Sequence, residues 1–321
     1  FDMKVAFIFP GQGSQSVGMG QEIYNEFSSA KELLDSASQY CGIDFKTLLF
    51  EANDKLGESE FTQPAVVLNS VMWFGAFKSQ LNLKPELSFG HSLGEFSALS
   101  VSGAIKPLDA IKVVNLRGKF MAQDCAEIGA GMMVILGLSN EKVEEICKNS
   151  NKQIWAANYN CDGQIVVAGI RSDLQATVDE FKSAGAKRAM LLDMSVASHC
   201  PLLQNASIKL ANELENLLSE EFAPVISNVT AKTYTTKKEA LELLKLQLTS
   251  PVLYQNSVKN YVDKVDCFIE FGASVLKGMN KKICDKPTYS ITNLSSLNET
   301  LEALRWELLS LGLWVKRLSF C

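Results

Sequence analysis

Histidine is nearly absent from this 321-residue chain, which has two, His91 and His199. Any imidazole chemistry must therefore pass through one of them. Basic charge is not in excess either: 31 Lys and Arg face 36 Asp and Glu, for a formal charge of −5. That balance argues against a nucleic-acid binder, which normally carries a basic face. The eight cysteines include no C-x-x-C pair and no Cys/His cluster of zinc spacing, so no structural metal is expected. Reduced, mostly buried thiols are the expectation. Long apolar runs are missing as well. The longest, Ala65 to Phe77, is broken by Asn69 and Ser70 and falls short of the ~20 residues a bilayer span needs. Phe1-Asp2-Met3-Lys4-Val5 opens without the pattern of a secretory signal. A soluble, cytoplasmic, monomeric protein away from membranes is expected.

What is present is ordinary globular composition, 47% hydrophobic and 21% charged. Lys4 to Phe9 reads as a buried strand halted by Pro10-Gly11, and a helical stretch follows from Gln21 to Tyr40. Thr62-Gln63-Pro64 resembles a helix start, with Thr62 as cap and the helix running from Ala65 to Leu81. Glu86 to Phe89 predicts the next strand, a helix follows through Val101, and another spans Ala110 to Met121. This alternation predicts an α/β layer on a mainly parallel sheet. Between residues 126 and 195 the rhythm becomes strand (132–136), helix (140–148), strand (153–157), strand (164–168), helix (172–184), strand (187–193), the β-α-β-β-α-β order of a ferredoxin-like unit. The expected organisation is a large α/β domain from 1–125 and 196–321 with a small inserted subdomain at 126–195. Helices near 202–218 and 238–246, and a strand at 267–272, belong to the large domain.

Gly90-His91-Ser92-Leu93-Gly94 matches G-x-S-x-G, with a predicted strand before it and a helix after. The turn from strand to helix is so sharp that small residues are needed two positions either side of the serine. It exposes Ser92 at the carboxyl edge of the sheet and turns helix-start amides towards charge developing on a substrate oxygen. A serine hydroxyl needs a base to act at neutral pH. His91, beside Ser92 in the tight turn, should direct its ring away, which leaves His199. Asp263, Asp266 and Glu270 are candidates to orient that imidazole, as is a backbone carbonyl. Spacing alone supports a Ser92–His199 dyad.

Phe9-Pro10-Gly11-Gln12-Gly13-Ser14-Gln15 places a glycine-rich loop after the first strand, but no Gly-Lys-[Ser/Thr] follows and G-x-G-x-x-G fails at Ser16. Nucleotide binding is therefore not expected. The loop suits a second oxyanion donor near Gln12. Arg117 lies near the edge of an apolar helix face. Its planar fork would take a carboxylate if it faces a pocket, and would be idle if it faces water.

These residues resemble the malonyl-CoA:acyl carrier protein transacylases, the FabD-type acyltransferases of fatty-acid synthesis. The resemblance runs through Phe9–Gln15, Gly90–Glu95, Arg117-Gly118-Lys119, Asn160 with Gly163–Gly169, Ser198-His199-Cys200-Pro201, Ser227-Asn228-Val229, and Gln247-Leu248 before Ser250-Pro251-Val252. It implies a hydrolase-like large domain with a ferredoxin-like insertion. It further implies that Ser92 is acylated by malonyl-CoA, that His199 is base and then acid, and that the Gln247 carbonyl orients His199. The Gln12 and Leu93 amides would form the oxyanion hole, Arg117 would bind the malonyl carboxylate, and Asn160 and Asn228 would lie near the substrate channel. No metal or redox cofactor is implied, and the partner is a holo-acyl carrier protein. Its acidic surface would meet local basic pairs such as Lys187-Arg188, Lys281-Lys282 or Lys316-Arg317. Gly272-Ala273-Ser274 departs from the Gly-Pro-Gly common in the family, and Val196-Ala197-Ser198 does not fix strict malonyl selectivity. The competing readings are a serine hydrolase using the same elbow, and a carrier-binding module without catalysis.

Overall fold

Five consecutive apolar residues, Val5–Phe9, form the first strand and are all buried, as a strand covered on both faces requires. The computed structural model describes residues 3–318, with side chains through residue 310. Ten strands occur among the described residues: β1 Val5–Phe9, β2 Leu87–Gly90, β3 Ala130–Leu136, β4 Ile154–Cys161, β5 Gln164–Ile170, β6 Arg188–Leu191, β7 Glu221–Ile226, β8 Thr233–Thr236, β9 Cys267–Phe271 and β10 Thr288–Ile291. They make a six-stranded sheet in the order β10-β9-β1-β2-β7-β8 and a four-stranded sheet in the order β4-β5-β3-β6. The large sheet is parallel except for its last pair, β7 with β8. The mixed α/β class with a mainly parallel sheet is thus the observed one.

The small sheet is antiparallel throughout and carries the helices Asn140–Asn149 and Arg171–Ser183. Its two faces have different partners because side chains alternate along a strand. Met133, Ile135, Ile165 and Val167 pack with Val143, Leu174 and Phe181 in a local core. Their neighbours Met132, Val166 and Ala168 turn to the main core. A second tie is made by the backbone, where Val252 donates to Ala157 and accepts from Tyr159.

On the main sheet, Phe7, Phe74, Phe77 and Phe271 meet edge-on at centroid distances of 5.2–5.9 Å. The two polar residues that interrupt the 65–77 run each donate a hydrogen bond. Ser70 donates to the Phe271 carbonyl at 2.9 Å and Asn69 to the Gly272 carbonyl at 3.1 Å, pinning the end of β9. Gly272 itself takes φ +100° there, so the Gly-Ala-Ser departure keeps glycine at the left-handed position.

The helix expected from Ala65 begins earlier, at Ser59, and ends at Gln80. Pro64 is therefore inside it, where it cannot donate to the Glu60 carbonyl. Asn115 of the neighbouring helix Pro107–Cys125 fills that acceptor at 2.8 Å. Thr62 is not the cap: its hydroxyl donates to the Leu56 and Glu58 carbonyls. The single helix expected over 21–40 is two, Gln21–Glu26 and Ser28–Cys41, hinged at Phe27 in extended backbone. Among the described residues no helix is long and apolar enough to cross a membrane. The seven described cysteines are free thiols, and Cys321 lies outside the described residues.

Candidate active site

The chain leaves β2 at Gly90 and enters the helix Gly94–Val101 four residues later. Ser92, at the apex, takes φ +56°, a conformation that roughly costs a non-glycine residue 1–3 kcal/mol and is kept where surroundings enforce it. The enforcement is visible at the flanking glycines. A β-carbon on Gly90 would strike the backbone of Gly94 and Glu95, and one on Gly94 would strike the Phe9 carbonyl of β1. Gly94→Ala should therefore destabilise the fold by about 3 kcal/mol or more, since only backbone can give way. Urea unfolding checks this, with Gly75→Ala as control because no atom lies near a β-carbon there.

Ser92 Oγ lies 2.7 Å from His199 Nε2. His199 also adopts positive φ, +59°, in the segment before Pro201–Leu203, and is 1% exposed. Its Nδ1 is 2.8 Å from the Gln247 main-chain carbonyl. A carbonyl only accepts, so Nδ1 carries the proton and Nε2 turns its lone pair to the serine hydroxyl. Burial first, then the nearby Arg117 charge, pull the imidazole from 6.5 down to about 3, which keeps it neutral at physiological pH. The three carboxylate candidates are elsewhere. Glu270 accepts from the amides of Val275, Leu276 and Lys277 at the start of the helix Leu276–Ile283, Asp266 accepts from the Lys4 amide, and Asp263 lies in the exposed turn Val262–Lys264. Cys200, adjacent to His199, is no rival nucleophile, because burial pushes its thiol up to about 12.

Arg117 faces the pocket rather than water. It is 1% exposed, and its Nη2 donates to Ser92 Oγ at 3.1 Å and to Gln247 Oε1 at 3.1 Å. Nη1 donates to Gln63 Oε1 at 2.8 Å, the guanidinium covers the Phe96 ring at 5.6 Å, and Nε has no partner. Among the described residues it forms no ion pair. Gln63, placed by sequence reasoning at a helix start, is in fact an arginine holder.

Glu95, the residue after the elbow motif, is a functional residue that its local sequence does not mark. It is 1% exposed and accepts from Tyr234 Oη at 2.6 Å, the Asn228 amide at 2.9 Å and Gln247 Nε2 at 3.2 Å. Asn228 braces the elbow: Oδ1 accepts from the Ser92 amide at 2.8 Å and Nδ2 donates to the Gly90 carbonyl at 2.7 Å. Asn160, 4% exposed, is bonded to His91 Nε2 at 2.7 Å, so that ring is indeed turned from Ser92 and ties β4 to the elbow. Asn228 thus bonds the backbone of the elbow and Asn160 the ring of His91.

Above Ser92 opens a cleft of about 270 Å³, lined by Gln12, Arg117, Met132, Met194, Val196 and His199 among others, between the large sheet and the small one. Asn158 also lines it, with a buried Oδ1 that has no partner. Gln12 reaches its rim and donates through its side chain to Ser59 at 2.9 Å, leaving its backbone amide without a bond. The Leu93 amide is likewise unbonded, whereas that of Ser92 is spent on Asn228. Lys187, Arg188, Lys281 and Lys282 are exposed, and the Lys316-Arg317 side chains lie outside the described residues. No cluster of three or more metal-ligating side chains occurs among the described residues.

An elbow serine, a neutral imidazole and a buried cation with spare donors define an acyl-transfer site. The acyl transferase domain family matches residues 6–279, so the chain belongs to that family. A malonyl CoA-acyl carrier protein transacylase of Staphylococcus aureus is 40% identical over 287 residues, 87% of this chain and 92% of that one. The crystal structure of the malonyl-CoA:acyl carrier protein transacylase from Helicobacter pylori superposes with TM-score 0.92 at 45% identity, covering 95% and 99% of the two chains. A holo type II polyketide acyl-carrier protein in complex with its malonyl-transacylase matches with TM-score 0.90 at 34% identity, covering 94% and 99%.

Proposed function

We propose that this acyltransferase moves a malonyl group from malonyl-CoA to the phosphopantetheine thiol of a holo-acyl carrier protein, by way of a malonyl ester on Ser92, and so supplies fatty-acid synthesis in the cytoplasm. The observation that carries the reading is Arg117: a buried cation without an anionic partner, bonded to the same Oγ that His199 addresses. Such a charge is costly unless paired, and the malonyl carboxylate is the partner the acyl group itself brings.

In the first half-reaction Ser92 Oγ attacks the thioester carbon while His199 Nε2 takes the hydroxyl proton. The oxyanion is received by the Gln12 and Leu93 amides. Collapse breaks the C–S bond, and His199 returns the proton to the departing CoA sulfur. The second half reverses the order. The carrier thiol gives its proton to His199, attacks the ester carbon, and Ser92 leaves with that proton. Thioester and ester are close in energy, so the exchange is proposed to proceed without cofactor or metal. The free Oδ1 of Asn158 suits an amide N–H of the pantetheine arm. One copy of the chain holds every group this cycle uses, in keeping with a monomer.

Hydrolysis is the second reading, and the site disfavours it. Pairing with Arg117 would fix the acyl group where a thiol is aligned and water is not, and small misplacements cost large rate factors. Initial rates at varied malonyl-CoA and carrier concentrations should give parallel double-reciprocal lines, with the carrier KM rising as salt screens docking on Lys187, Arg188, Lys281 and Lys282. Intersecting lines, or steady release of malonate without carrier, would contradict the cycle.

A further inference from the structure

Arg117 keeps its charge in a buried place without an ion pair, which asks what sustains it. The answer lies one side chain away. Gln247 accepts from Arg117 through Oε1, and its Nε2 donates to Glu95 Oε1 at 3.2 Å and to the Ser92 carbonyl at 3.0 Å. An amide has one acceptor end and one donor end, so the two Nε2 bonds decide which way it faces. With Nε2 drawn to Glu95 and Ser92, Oε1 must face the guanidinium. The Gln247 main chain meanwhile holds His199.

Burial raises the Glu95 carboxyl above its ordinary range, and the donors Tyr234, the Asn228 amide and Gln247 Nε2, with the Arg117 charge, oppose that rise by favouring the carboxylate. It is the buried negative charge that acts favourably on Arg117, yet it does not touch the guanidinium. A direct pair would satisfy Arg117 and compete with an incoming anion. Removed by one amide, the carboxylate supports the charge and leaves Nε and one Nη1 hydrogen without a partner.

We infer that Glu95 is a positioning residue for the anionic end of the donor: through Gln247 it orients and supports Arg117 without occupying it. The inference rests on the malonyl reading above. The test compares kcat/KM for malonyl-CoA and acetyl-CoA, both with holo-carrier, in the wild type, Glu95→Gln and Glu95→Asp, alongside thermal melts.

Glu95→Gln keeps the volume and removes the charge. It should lower the malonyl-to-acetyl ratio by about tenfold or more, because only malonyl needs Arg117 supported. Glu95→Asp keeps the charge, and should recover a ratio between those of the wild type and Glu95→Gln. A lowered melting temperature with equal losses for both donors, in Glu95→Gln or, if that variant does not fold, in Glu95→Asp, would show a merely structural role and overturn the inference. A wild type with no preference for malonyl-CoA would instead sink the functional reading on which it stands.

Discussion

Arg117→Ala should cut kcat/KM for malonyl-CoA by about 10²–10³, while acetyl-CoA is transferred at least as well as by the wild type, reversing the donor preference. Two effects combine. The first is the loss of a charged, forked partner for the carboxylate in a water-poor cleft, where such contacts are strongest. The second concerns the base. The Arg117 charge is among the causes that hold His199 down at about 3. Without it the imidazole rises towards its ordinary 6.5, becomes more basic, and serves an uncharged acyl donor better. The sign is specific. In the variant the acid limb of transfer should move to higher pH, because His199 now takes up a proton sooner as pH falls. On the proposed reading, the malonyl carboxylate would supply the same relief in the wild type by pairing with Arg117, so the correct donor would both bind and sharpen the base. Steady-state rates with both donors from pH 5 to 8 check the point. Unchanged donor preference would show that Arg117 does not read the acyl group.

His199→Ala should be more severe for chemistry and blind to donor. Removing the base leaves Ser92 Oγ facing an arginine that donates to it but takes no proton. Losses of about 10⁴–10⁶ in kcat are expected for either acyl-CoA, as is usual when one member of a nucleophile–base unit is deleted. Single-turnover acylation should fail while malonyl-CoA still binds, which equilibrium titration of the variant measures.

Much of this site could be read from the chain, for definite reasons. Glycines at 90 and 94 are demanded by a backbone approach that any sequence making this turn must respect, and only His199 was left to serve Ser92. The small sheet was legible because its strands and helices alternate with clear periodicity. What escaped depended on partners distant in sequence. Pro64 read as a helix start because nothing local shows that Asn115, in another helix, repairs the bond it breaks. Glu95, Gln63 and Asn228 bear no local mark of function; their roles arise only when β2, β7 and two helices converge. Of the strands that were missed, β7 carries Pro224 in its middle, β10 has four residues, and β8, Thr-Tyr-Thr-Thr, lacks an apolar alternation. The late carboxylates looked suitable by position, yet Glu270 is committed to three amides and a carbonyl does the orienting instead.

The central claim is that one oxygen, on Ser92, carries the acyl group between two thiols. Intact-mass spectrometry after brief mixing with malonyl-CoA, followed by peptide mapping, tests it directly. The account predicts a single malonyl adduct on the peptide containing Ser92, absent from Ser92→Ala and discharged when holo-carrier is added. An adduct on another residue, or transfer to the carrier by Ser92→Ala at the wild-type rate, would contradict it.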